Sequence, residues 1–158
     1  QEFYQKEIEW FKTKHFDTGT VSASRIGAVG FDESYRTYPD IWNRYQIEAV
    51  IETDPVSDFW FTEKLAKPLV TGKPFLLVSG PGSLDRLKEM GIETFSSVID
   101  ETYDWEPTPT KRVHKIVNSL QKLYNDTNKS EKIAEMYRIA ERNQEHYKKY
   151  TKSQGHDV

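Results

Sequence analysis

The chain has 158 residues, the size of one domain, and this leaves no room for two full-sized halves with a cleft between them. Hydrophobic residues make up 36% and charged residues 30%, and Trp 4, Tyr 9 and Phe 8 supply enough large side chains to fill an interior, so global disorder is excluded. The net charge of −3 hides a segregation: residues 31–110 hold fifteen acids against seven bases, and residues 111–152 hold eleven bases against five acids.

With Cys 0, disulfides, thiol nucleophiles and Cys-ligated metals are excluded. No apolar run reaches the roughly 18–20 residues needed to span a bilayer, and no signal-peptide pattern opens the chain. The expectation is a soluble, cytoplasmic protein. The first residue is Gln, which raises the expectation of a piece cut from a longer chain.

In chain order, Phe3, Tyr4, Ile8 and Phe11 predict an amphipathic helix over 2–14, and residues 18–36 read as a loop with a short strand near Ile26. Residues 1–44 therefore form an N-terminal helix and an irregular segment. The α/β domain is expected over 45–158. Ile47 to Glu52 predicts a strand that stops at Thr53-Asp54-Pro55. A helix follows over 62–72, with Thr62 as its cap and Gly72 as its left-handed end. Pro68 requires that this helix be kinked there or start close to it.

Pro74 to Val78 is an apolar run of the kind a strand buried on both faces shows, and the turn Ser79-Gly80-Pro81-Gly82-Ser83 leads into a short helix ending at Gly91. A third strand is expected over Thr94 to Ile99, ending in the acidic stretch Asp100 to Asp104. Thr108-Pro109 signals a helix start with a capping hydroxyl, and Val113, Ile116, Val117, Leu120 and Leu123 give its apolar stripe. A last helix runs from Ser130 to about Thr151, and the tail from Ser153 reads as frayed. Its interspersed charges, such as Glu145 and Lys149 at i,i+4, suit a solvated face, so no nucleic-acid partner is expected.

Strands alternating with helices predict an α/β fold: a three-layer, Rossmann-like domain with a mostly parallel sheet and two C-terminal helices. Ligands of such sheets bind beyond the carboxyl ends of the strands. Three places qualify. Thr62, Glu63 and Lys64 open a helix, whose free amides and a lysine suit a phosphate while a glutamate suits a ribose diol, although the three residues alone read more simply as a helix start. Ser79, Gly80, Gly82 and Ser83 allow close backbone approach to a phosphate or sugar, and a plain tight turn explains them equally well. Asp100, Glu101 and Asp104 could contact a sugar or a divalent ion, though acids at a strand end more often cap or turn the chain. His15, His114, His146 and His156 have no zinc spacing, and G-x-S-x-G is absent.

Taken together, residues 59–83, from Phe59-Trp60-Phe61-Thr62-Glu63-Lys64 to Pro81-Gly82-Ser83, resemble the donor-binding, C-terminal half of GT-B glycosyltransferases. The Thr-Glu-Lys helix is similar to that of α1,3-fucosyltransferases. The likeness is closer to a group of glycosyltransferase-like sequences from phage and marine microbes, through Leu84-Asp85-Arg86-Leu87-Lys88-Glu89-Met90-Gly91-Ile92-Glu93-Thr94-Phe95 and Ile99-Asp100-Glu101-Thr102-Tyr103-Asp104. It covers roughly 45–150.

The resemblance implies a UDP- or GDP-type nucleoside-diphosphate sugar as donor, with Glu63 on the ribose, Lys64 on the diphosphate and the Ser79–Ser83 turn beside the phosphates or sugar. It implies transfer to a hydroxyl acceptor with no required cofactor and no metal, since positive groups neutralise the leaving diphosphate. It leaves the catalytic base on an absent N-terminal acceptor half, so that half or a second copy of the chain is the expected partner. The alternative is a non-catalytic module of the same fold, using the basic helices or Phe59 to Phe61 as an interaction surface.

Overall fold

The computed structural model describes residues 44–52 and 61–153, all within one compact unit, Thr37–Val158. The helix expected over 2–14, the segment 18–36, the loop 53–60 with Phe59 and Trp60, and the tail from 154 lie outside the described residues. Among the described residues the fold is α/β, with two strands and four helices: β1 (Glu48–Ile51), α1 (Glu63–Thr71), β2 (Phe75–Val78), α2 (Ser83–Glu89), α3 (Pro109–Asn125) and α4 (Lys129–Ser153).

The two strands are parallel neighbours, with Glu48 opposite Phe75 and Ile51 opposite Val78. All four side chains of β2 are buried, as its unbroken apolar run requires, whereas β1 buries Val50 and exposes Ala49 and Ile51. Two bonds frame the ladder, Glu48 N–H to the Pro74 carbonyl at 2.8 Å and Glu52 N–H to the Val78 carbonyl at 3.0 Å. The second extends the register one step, setting Glu52 opposite Ser79 at the carboxyl ends of both strands.

Local chemistry fixes α1 at both ends. The Thr62 hydroxyl accepts from the Lys64 amide at 3.2 Å, and Gly72 stands at φ 65 and ψ 37 with its amide on the Pro68 carbonyl. Pro68 lies inside the helix, which starts five residues earlier, and it is almost fully buried. The packing of α1 against β1 and α4 thus outweighs the backbone donor that proline removes.

The third strand does not form. Residues 92–94 are irregular and 95–99 form turns and bends, with Val98 and Ile99 amides both returning to the Phe95 carbonyl at 2.9 Å. Phe95 and Ile99 still reach the core, because a chain turned in this way brings residues four apart onto one side. Phe95 meets Phe75 edge to face at 5.3 Å between ring centres. The edge of β2 that a third strand would have paired is met by a side chain instead: Arg112 donates to the Ser79 carbonyl.

A second correction concerns α3. Pro109 opens it, but the Thr108 hydroxyl makes no capping bond, and the Thr108 backbone carbonyl takes the Arg112 amide at 2.9 Å. Between α3 and α4, Asp126 accepts from the Asn128 amide at 2.8 Å and pairs with Lys132 at 2.6 Å. Along α4, Met136, Ile139 and Ala140 enter the core, and Asn143 exchanges two 2.8 Å hydrogen bonds with the backbone of Glu93. Arg142 grips the Glu93 carboxylate through two 2.7 Å bonds, which hold that carboxyl below its usual range. No helix among the described residues is long and apolar enough to cross a membrane.

Candidate functional site

The carboxyl ends of β1 and β2 gather Glu52, Thr62, Lys64 and Ser79. Glu52 is 3% exposed, and its two carboxylate oxygens accept from the Thr62 hydroxyl at 3.0 and 2.8 Å. Thr62 therefore bridges a buried acid to the first turn of α1, donating to one and accepting from the other. Ser79, opposite Glu52, is 2% exposed, and its hydroxyl is one of four buried side-chain atoms without a hydrogen-bond partner among the described residues. Glu63 is the first residue of α1, and Lys64, half-buried, is the second. Glu52 opens the polar segment 52–64 that the sequence points to, but it is not among the candidate site residues Thr62, Glu63 and Lys64. An acid closing a strand run, before a turn signal, is the signal it carries.

The glycine turn is built for packing as well as for approach. Gly82 has φ 78, and a Cβ there would stand 2.9 Å from the Trp105 ring. Its amide donates to the Asp104 carbonyl at 3.1 Å, and the Ser83 hydroxyl donates to the Gly80 carbonyl at 2.6 Å. The start of α2 is already capped: Asp104 Oδ1 accepts from the Leu84 amide at 3.1 Å across twenty residues of sequence. A phosphate at that helix start would meet a carboxylate of the chain itself.

The three acids expected to act together are separated in purpose. Asp100 faces solvent, and its carboxylate takes the Thr102 amide at 3.0 Å, which holds its pKa low. Glu101 turns inward to the Phe95 amide at 2.7 Å, and desolvation raises its pKa. Asp104 is 5% exposed, its Oδ2 has no partner among the described residues, and desolvation raises its pKa too. Among the described residues no three His, Asp or Glu side chains converge as metal ligands.

Arg112, which the sequence reading passed over, holds this region together. It is 1% exposed, and its guanidinium donates to the Glu106 carbonyl through Nε at 3.0 Å and Nη2 at 2.7 Å, and to the Ser79 carbonyl through Nη1. Burial pulls its pKa below the usual value while Asp104 and Glu106 oppose that shift. The guanidinium remains a cation in any case. A single residue of α3 thus ties the end of β2 to the loop that carries Asp104. Its place in the stripe was visible, since 112, 116, 119 and 123 recur at helical spacing and all four are buried.

Comparison with protein-family models, curated proteins and solved structures gives no match to this chain. The site must therefore be read from its own chemistry.

A cavity of about 490 Å³ lies elsewhere, walled by Phe61, Met90, Ile92, Tyr147 and Tyr150. None of the candidate residues lines it, and two of its polar side chains are engaged, His146 on the Met90 carbonyl at 3.0 Å and the Thr151 hydroxyl on the Tyr147 carbonyl at 3.0 Å. Phe61 stacks on Tyr147 at 5.9 Å, so this ring of the aromatic triplet packs within the protein.

Proposed function

We propose that the chain is the donor-binding part of a glycosyltransferase, a three-layer Rossmann-like domain that holds a nucleoside-diphosphate sugar at the carboxyl ends of β1 and β2. The observation that carries this reading is that the strand ends hold two buried polar side chains, Glu52, tied through Thr62 to the start of α1, and Ser79, whose hydroxyl has no partner among the described residues. A buried hydroxyl without a partner is costly, by roughly 1–3 kcal/mol, and a ligand hydroxyl or phosphate oxygen would satisfy it. Carboxylates accept from diols and lysines neutralise phosphates, so Glu63 and Lys64 fit the ribose and the diphosphate. In the reaction, the bond from the sugar's anomeric carbon to the diphosphate breaks with its electron pair leaving on the diphosphate. An acceptor oxygen forms the new bond and gives its proton to a base on a partner half.

The capping of α2 by Asp104 refines this reading. The diphosphate belongs at α1 with Lys64, and the Ser79–Ser83 turn belongs to the sugar. The same observation favours the second reading, a binding module without transfer chemistry, because both helix starts beyond the strands are engaged by acids of the chain, Glu52 through Thr62 and Asp104 directly.

Thermal unfolding separates the two. A ligand that binds only the folded state raises the midpoint by mass action. UDP- and GDP-sugars should raise it and adenosine monophosphate should not; an unchanged midpoint with every nucleotide sugar favours the module.

A further inference from the structure

Trp105 is 65% exposed, yet it is not loosely held. The benzene end of the indole lies against the Gly82 turn, where a Cβ would come to 2.9 Å from the ring, and Nε1–H donates to Asp85 Oδ2 at 3.1 Å. Asp85 is fixed in turn, its other oxygen taking Lys88 at 3.0 Å. A large aromatic side chain on a surface normally turns its faces into neighbouring atoms. Here packing and a hydrogen bond fix the ring while leaving most of it bare.

We propose that Trp105 is a stacking platform for the sugar ring of the donor, which rests on the nucleotide-sugar reading of the neighbouring site. The indole lies on the turn that begins with Ser79, so a sugar leading away from the strand ends would meet it. The C–H groups on one face of a pyranose carry partial positive charge, and the face of an indole is negative. The carboxylate of Asp85 at the ring's edge suits the sugar's hydroxyls, which lie around its rim. Because the nucleotide is placed at the start of α1 with Glu63 and Lys64, and the Ser79–Ser83 turn is left to the sugar, the platform is assigned to the sugar.

The test uses the full chain, UDP-glucose and GDP-mannose as donors, and UDP and GDP as controls. Trp105→Ala should weaken binding of the accepted nucleotide sugar about three- to tenfold, leave the bare diphosphate unchanged, and be largely reversed in Trp105→Phe. In the wild type, the indole N–H resonance of Trp105, assigned by its loss in Trp105→Phe, should shift with the nucleotide sugar and not with the diphosphate. This readout stands even if the alanine variant fails to fold. A nucleotide sugar that binds the wild type without moving this resonance, or binds Trp105→Ala equally well, overturns the platform and leaves the donor site intact. Binding of none of the four probes overturns both.

Discussion

The Thr62 hydroxyl reaches both oxygens of the Glu52 carboxylate, at 3.0 and 2.8 Å, while accepting from the Lys64 amide at 3.2 Å. One side chain thus joins the end of β1 to the start of α1. Thr62→Val keeps the shape and removes the oxygen, so it should cost the cap, about 1 kcal/mol, and a further roughly 1–3 kcal/mol for the carboxylate left without its donor. Thr62→Ser should retain most of both. Urea unfolding of the two variants checks this, and equal stabilities would show that the bridge contributes nothing.

Gly82 and Trp105 form a pair whose energies should not add. Gly82→Ala places a side chain at φ 78, at about 1–2 kcal/mol, and pushes its Cβ to 2.9 Å from the indole. Combining it with Trp105→Ala removes the collision and leaves the backbone strain. A double-mutant cycle should show the pair less destabilised than the sum of its singles, with a coupling above about 0.5 kcal/mol; strict additivity contradicts the contact.

Asn143 bonds both backbone groups of Glu93 and is 1% exposed. Asn143→Leu keeps the branching and the number of side-chain heavy atoms and has no polar atoms. It should cost about 1–3 kcal/mol for each backbone group orphaned, measured by denaturant unfolding. A change within 0.5 kcal/mol would mean that these groups find other partners.

The pH dependence of stability carries a signature of Asp104. Burial raises its pKa in the folded protein, so the folded state holds its proton more tightly than the unfolded one. Its contribution to stability is greatest below the unfolded value of about 3.9 and is lost as pH rises through the folded value. Asp104→Asn keeps an oxygen for the Leu84 amide and removes the charge. The stability of this variant relative to wild type should therefore increase as pH rises from about 3.5 upward. A difference that is flat, or that falls with pH, contradicts a destabilised carboxylate.

The regular elements were legible where one local signal governs them. Thr62 and Gly72 bounded α1, the apolar run 74–78 gave β2, and the stripes gave α3 and α4, because capping, burial on two faces and helical periodicity act over a few residues. The segment Thr94–Ile99 misled, since its residue types favour a strand. Phe95, Val98 and Ile99 recur at three and four residues rather than at two, which is the spacing of a turned chain. What closes the edge of β2 was beyond local reading, for Arg112 reaches it from 33 residues away. The acidic stretch shows the same limit at the site. Asp100, Glu101 and Asp104 lie within five residues of sequence, yet the amides they accept from lie two, six and twenty residues away.

The measurement that bears most directly on the donor site is calorimetric titration of the folded chain with UDP- and GDP-sugars, repeated with Lys64→Ala, Glu63→Gln and Ser79→Ala. The account predicts one nucleotide class binding with a dissociation constant below about 1 mM, Lys64→Ala weakening it about tenfold or more, and Glu63→Gln and Ser79→Ala weakening it by lesser factors without loss of fold. No binding up to millimolar concentration, or binding that all three variants leave unchanged, would contradict it.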